Sequence, residues 1–306
     1  MARLTRFLAA ATAALLLRLL ARVPAGGRCW LARQLMQDRF NPKTRAMAHF
    51  CEQAVHAWRN RQYAPAENGE AALLVRLEPF KPTVLIDVGA NVGDWTIAAC
   101  QGLPGATVHA FEIAQSTAVE LARNIAPYAS RVVINTVGLG DREGEIALFL
   151  TPDNNTAAST LRDVATFSMA SQGLGNVVEV KARVITGDAY LRERGIKHVD
   201  VLKIDVEGAE FAVLHGFADA FALGAIDLVQ FEYGALNLPL RYFLADLWKF
   251  FTDRGYIVGK LYPEGVSFKD FDPTDEDFMG PNYIACRTER ADIVAALRCP
   301  VLTVAS

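Results

Sequence analysis

Val84-Leu-Ile-Asp-Val-Gly-Ala-Asn-Val-Gly93 is the stretch that decides the fold. Its apolar opening around Asp87 reads as a strand over 83–87 that is buried on both faces. A turn with glycines at 89 and 93 follows, and a helix over 94–101 opens behind it. In an open α/β sheet such a turn lies at the carboxyl ends of the strands, where ligands bind. Glycines there let the backbone come close to a ligand.

Outward from this loop, the pattern repeats. A second strand is expected over 106–112, a helix over 114–124 and a third strand over 131–137. Apolar runs alternating with helices mark a parallel sheet covered on both faces. Asp141-Arg-Glu-Gly144 is a turn signal, and 145–150 reads as a strand in a hairpin attached to the third. Residues 151–176, rich in Asn, Ser, Thr, Gly and Ala, read as a long loop, and such loops usually bind or cover a ligand. A strand over 177–185 and a helix over 188–194 follow. The core pattern then returns with strands over 198–205, 225–232 and 256–261 and helices over 207–215 and 241–254. Asn282-Tyr-Ile-Ala-Cys-Arg287 is expected to close the sheet.

Glu112 ends the second strand, and a carboxylate there can accept hydrogen bonds from both hydroxyls of an adenosine ribose. A glycine loop followed by an acid also fits a nicotinamide cofactor. The Gly-x-Asn-x-Gly spacing, however, lacks the Gly-x-Gly-x-x-Gly pattern that suits a pyrophosphate. Asp87 would place a negative charge beside the cationic sulfonium and α-amino groups of S-adenosyl-L-methionine. Asp87, Gly89, Asn91, Gly93 and Glu112 are therefore the candidate cofactor residues. The plain alternative is that Asp87 and Glu112 only cap helices or hold local structure.

The second dense feature is His198-Val-Asp-Val-Leu-Lys-Ile-Asp-Val-Glu-Gly-Ala-Glu210. A lysine inside an apolar strand is costly unless it is paired. Asp205, Glu207 and Glu232 are its expected partners, and all four charges should meet at the carboxyl edge of the sheet. Lys203, Asp205, Glu207 and Glu232 are the candidate catalytic residues, with Asp205 or Glu207 as the base; a structural ion-pair network is the alternative. No metal is assigned, because no tight Asp/His spacing demands one.

These motifs, with Phe231-Glu-Tyr233, the polar stretch Asn154-Asn-Thr-Ala-Ala-Ser-Thr-Leu161 and Asn282-Tyr-Ile-Ala, resemble the FkbM-type methyltransferases over about 83–287. The resemblance implies a class I methyltransferase of Rossmann-like α/β fold, using S-adenosyl-L-methionine to methylate a hydroxyl. The acceptors it implies are sugars, glycolipids or polyketide-like small molecules. Asn154, Asn155, Ser159 and Thr160 are then expected to bind the acceptor. Thr186-Gly-Asp188 departs from the family's Thr-Leu-Asp. An NAD(P)-dependent oxidoreductase and a non-catalytic cofactor-binding protein are the rival readings.

Of 306 residues, 52% are hydrophobic and 21% charged, so a sizeable core is expected; the net charge of −3 argues against a nucleic-acid partner. Five scattered cysteines without a CxxC pair suit buried, reduced thiols and a cytoplasmic setting. Residues 1–70 read as a basic helical extension and 71–306 as the catalytic domain, with 64–70 as a linker. The first 37 residues hold six Arg and no Asp or Glu. Four readings compete for them: a basic amphipathic helix on an anionic membrane surface, a secretory signal, a mitochondrial presequence, or a helix packed on the domain. The apolar run 7–17 is too short to span a bilayer.

Overall fold

The computed structural model describes residues 18–19, 21–151, 154–159 and 178–300. The chain divides into two compact units, with the boundary in the sequence between Arg59 and Asn60. In the first, α1 (Ala25–Leu35) starts directly after Pro24 and carries Gly26 and Gly27 within it. α2 (Pro42–Trp58) starts where Asn41 accepts the Lys43 N–H at 2.9 Å. Proline at the first turn suits a helix start, since its missing N–H would be unpaired there anyway.

The second unit opens with α3 (Glu70–Leu77) and then β1 (Val84–Val88), α4 (Asp94–Gly102), β2 (Thr107–Phe111), α5 (Gln115–Asn124) and β3 (Val132–Asn135). β4 (Gly138–Leu139), β5 (Gly144–Thr151), β6 (Asn154–Ser159) and β7 (Val178–Ile185) come next, then α6 (Gly187–Arg194). The chain returns through β8 (Val199–Ile204), α7 (Glu210–Gly216), α8 (Ala218–Ala222), β9 (Ile226–Glu232), α9 (Asn237–Leu240) and α10 (Leu244–Thr252). β10 (Tyr256–Tyr262), β11 (Gly265–Phe268), β12 (Asn282–Arg287) and α11 (Ala291–Leu297) complete it.

The main sheet has the order β11-β10-β12-β9-β8-β1-β2-β3. β9, β8, β1, β2 and β3 run parallel, and β12 lies antiparallel to both β9 and β10. This is the doubly wound α/β fold expected, with apolar layers on both faces. Leu85 and Val201 feed one layer, with Trp95 and Leu73; Ile86 and Leu202 feed the other, with Phe217 and Phe251. Each such fully buried side chain contributes about 1.5–3 kcal/mol. The chain moves one way from β1 to β3 and then the other way from β8 to β9. The reversal leaves a crevice between the carboxyl ends of β1 and β8, where open α/β sheets bind ligands.

Several expectations change. β12 does not close the sheet but sits between β9 and β10, because its residues are buried on both faces and need a neighbour on each side. The hairpin expected beside the third strand belongs instead to a separate sheet, β4-β7-β5-β6. β6 takes up the first part of the stretch read as a loop, pairing Ser159 with Phe149 and Asn154 with Thr151. Residues 152–153 and 160–176 of that stretch, with Thr160, lie outside the described residues. The helix expected from 207 starts at Glu210, since Glu207 (φ 52°) and Gly208 (φ 110°) are left-handed. The stretch 64–70, read as a linker, is held by the second unit. Asn68 donates to Glu70 at 2.8 Å, and Asn60 donates to the carbonyls of Asn68 and Leu261 at 2.7 and 2.9 Å.

Candidate active site

The loop after β1 is shaped by its own hydrogen bonds. The N–H groups of Gly89 and Ala90 donate to the Phe111 carbonyl at 3.0 and 2.8 Å. Those of Asn91 and Gly93 donate to the Glu112 carboxylate at 2.9 Å and to the Ala90 carbonyl at 2.9 Å. Gly89 has φ 80°, and a Cβ there would lie 1.7 Å from the Asp205 carbonyl oxygen, so only glycine fits. The crossing presses the β1 loop against the end of β8.

Glu112 is buried and accepts the Asn91 N–H with one carboxylate oxygen and the Ala114 N–H, at 2.8 Å, with the other. It therefore does cap the turn before α5. Each oxygen keeps a second lone pair for a ligand hydroxyl. Burial raises its pKa against the lowering effect of these two hydrogen bonds. Beside it opens a cleft of about 120 Å³. Gly89, Asn91, Glu112, Asp205 and Glu207 line its polar side. Leu139, Ile146, Leu148 and Val184, from the second sheet, are among the residues lining its apolar side.

Asp87 has no exposed surface and does not line the cleft, contrary to the expectation that it faces the cofactor. The register explains this: Asp87 lies opposite Lys203 on β8. Its Oδ2 accepts the Thr96 hydroxyl at 2.6 Å, and its Oδ1 lies 3.1 Å from Lys203 Nζ. Lys203 also donates to the Gly89 carbonyl at 3.0 Å and lies 3.4 Å from Asp205. Burial pushes the ammonium's pKa down, but Asp87, Asp205 and Glu70 more than reverse this, so Lys203 stays protonated. Lys203, Gly93 and Glu232 do not line the cleft.

Asp205, Glu207 and Glu232 each bring a carboxylate oxygen within 4.8 Å of the other two. Such a spacing is comfortable only with a proton or a cation between the groups. Burial, and then Asp205 and Glu210, push Glu207 up to about 8, with Lys203 opposing. Burial, Asp205 and Glu207 hold Glu232 well above the ordinary carboxylate range, and Glu232 hydrogen-bonds Asp205. Behind them, Glu210 accepts the N–H groups of Val206 and Gly208 at 3.3 and 3.1 Å and the Tyr242 hydroxyl. That capping holds Glu207 in its left-handed conformation.

A raised carboxylate pKa has a consequence for stability. The folded form holds the Glu207 proton up to pH of about 8, whereas the unfolded chain releases it near 4.5. Its contribution is thus fully present below pH 4.5 and is lost as pH rises through 8. The thermal midpoint of the ligand-free protein is expected to fall between pH 5 and pH 9, and less steeply in Glu207→Gln. Parallel curves for the two proteins would refute this.

The sequence reading missed the residues around this edge. Glu70, at the start of α3, accepts from Gln230 on β9, and Gln230 also accepts the Trp95 indole N–H at 3.1 Å and donates to Asn282 at 3.3 Å. Asn282 is the register partner of Glu232. Tyr63 has its pKa raised by burial and then by Glu232. Asn154, Asn155 and Ser159 lie on β6, the neighbour of β5, whose Ile146 and Leu148 line the cleft.

The methyltransferase FkbM domain is matched over residues 87–258, more than half of the chain. The chain belongs to that methyltransferase family. The 31-O-demethyl-FK506 methyltransferase FkbM of Streptomyces tacrolimicus is 29% identical over 156 residues, covering 45% of this chain and 60% of that protein. The hexuronic acid methyltransferase AglP of Haloferax volcanii is 26% identical over 220 residues, 70% of this chain and 84% of AglP. The AMB antimetabolite synthetase AmbE of Pseudomonas aeruginosa is 32% identical over 175 residues, 49% of this chain but 8% of AmbE. The chain thus spans less than two thirds of FkbM and a small part of AmbE. Among solved structures, a putative O-methyltransferase from Klebsiella pneumoniae aligns with a TM-score of 0.41 at 12% identity, over 72% of this chain and 78% of that one. The matched span of this FkbM-family methyltransferase runs from Asp87 through the carboxylates at β8 and β9 to β10.

Proposed function

We propose that the protein is an S-adenosyl-L-methionine-dependent O-methyltransferase acting on a hydroxyl of a sugar, glycolipid or polyketide-like small molecule. One observation carries the choice of cofactor. The N–H groups of Gly89, Ala90, Asn91 and Gly93 are all spent on internal acceptors, while Glu112, Asp205 and Glu207 line the same cleft. A pyrophosphate would meet carboxylates and find those four donors occupied, whereas a sulfonium and an α-amino group find opposite charge. The apolar wall of Leu139, Ile146 and Leu148 suits an adenine ring.

When bound, S-adenosyl-L-methionine supplies an electrophilic methyl group on a cationic sulfonium. Glu112 would accept hydrogen bonds from its ribose hydroxyls, and Gly89 and Asn91 would help to hold it in the cleft. Glu207 takes the proton of the acceptor hydroxyl, and Asp205 and Glu232 set its basicity. Lys203 stays cationic and holds the loop through the Gly89 carbonyl; it is not the base. Positioned general bases contribute roughly 10²–10⁴-fold. Asn154, Asn155, Ser159 and Thr160 bind the acceptor. FkbM and AglP, named for 31-O-demethyl-FK506 and for a hexuronic acid, support a small-molecule or sugar acceptor. The partner implied is a small molecule or glycan.

Calorimetric titration with S-adenosyl-L-methionine, S-adenosylhomocysteine and NAD tests the cofactor. Binding of the first two is expected, weakened by about 10²-fold in Glu112→Ala, as two charge-assisted hydrogen bonds are lost. Binding of NAD alone would overturn the proposal.

A further inference from the structure

We propose that the N-terminal helical unit docks this enzyme on an anionic bilayer surface, with its exposed aromatic side chains entering the lipid interface. The first observation is segregation of charge. Residues 1–59 hold ten Lys or Arg against two Asp or Glu, a net of +8. The remainder holds twenty-one against thirty-two, a net of −11. An anionic surface therefore attracts one unit and repels the other.

The second observation is an uncovered apolar face. Neither α1 nor α2 buries a residue. On α2, Met47, Phe50, Val55 and Trp58 are 42, 63, 42 and 74% exposed. At ~100° per residue these four fall within about 140° of one another, a single stripe along the helix. His49, Glu52, Gln53 and His56 occupy the opposite side. Lys43 and Arg59 bracket the stripe at its two ends, where long basic side chains reach headgroups while their stems cover lipid. Trp30, Leu35 and Phe40 add further exposed apolar surface, Phe40 being 93% exposed.

Charge and apolar stripe together select the occupant. A nucleic acid would use the basic residues and leave the stripe in water; an apolar protein groove would use the stripe without needing the charge. An anionic lipid interface uses both, since tryptophan and phenylalanine rest at headgroup depth and Arg and Lys pair with phosphates. No helix among the described residues is long and apolar enough to cross a membrane.

The test uses the full-length protein and does not depend on the acceptor. Flotation is compared on phosphatidylcholine vesicles with and without about 30% phosphatidylglycerol, at low and high salt. The parent is expected to float on anionic vesicles and to detach in high salt. Phe50→Ser/Trp58→Ser should reduce the bound fraction at least about tenfold, with S-adenosyl-L-methionine binding unchanged as the check on folding. Brominated acyl chains should quench part of the tryptophan emission; Trp30 and Trp58 are exposed, whereas Trp95 and Trp248 are buried in the catalytic unit. Equal flotation of parent and variant, equal capture by neutral vesicles, or retention on RNA without flotation would each overturn the proposal.

Discussion

Glu207→Gln is expected to lower methyl-transfer turnover by about 10²–10⁴-fold, with a much smaller effect on binding of S-adenosyl-L-methionine. The substitution keeps shape and loop conformation and removes only the ability to take a proton. Because burial and Asp205 push Glu207 up to about 8, the parent's kcat/KM should rise as pH increases through 8 and then level off. Glu207→Gln should lose that limb. Asp205→Asn removes one of the charges that raises Glu207, so its limb should move to lower pH. The two profiles separate a base from a merely structural carboxylate. The assays are run with and without a chelator, since the three carboxylates are also close enough to share a cation. Near-parental turnover in both variants would remove Glu207 and Asp205 from the chemistry. A surviving alkaline limb in Glu207→Gln, at reduced rate, would move the base role to Glu232.

The parts of this site legible in the sequence are those fixed by burial along the chain. A strand covered on both faces must be a continuous apolar run, so β1 and β8 stand out, and a lysine within such a run demands a partner. The partner itself depended on register. Asp205, Glu207 and Glu232 were expected around Lys203, but Asp87, its neighbour across the β1–β8 ladder, lies nearer to it at 3.1 Å than Asp205 does at 3.4 Å. The strands over 145–150 and 177–185 were legible, but not that they form a sheet of their own with β6, because that depends on which strands pair. Glu70 escaped notice because Gln230, which it holds, is 160 residues away. The start of α7 was misplaced by three residues because helix propensity does not reveal that Glu207 and Gly208 turn left-handed before Glu210 caps the turn.

Lys203→Met is expected to destabilise the protein by about 3–5 kcal/mol, the usual cost of stranding one member of a buried ion pair. Lys203 is 4% exposed and Asp87 0%. Without the ammonium, the Asp87 carboxylate loses its cation and is left with the Thr96 hydroxyl at 2.6 Å. For a chain of this size each kcal/mol lowers the midpoint of thermal unfolding by about 2–4 °C, so a fall of roughly 6–20 °C should be seen. Asp87→Asn/Lys203→Met removes both charges, and much of the stability should return because a neutral amide is far less costly to bury. The double variant also keeps the experiment readable where the single one does not fold. Its cofactor binding should stay weak, because the Gly89 carbonyl loses its lysine anchor whichever residue occupies position 87. Recovery of stability without recovery of binding would show that Lys203 has two separable tasks, neutralising Asp87 and holding the cofactor loop against β8. Recovery of both would reduce it to the first. A stable Lys203→Met with unchanged binding would mean that neither the ion pair nor the carbonyl contact governs this edge of the sheet.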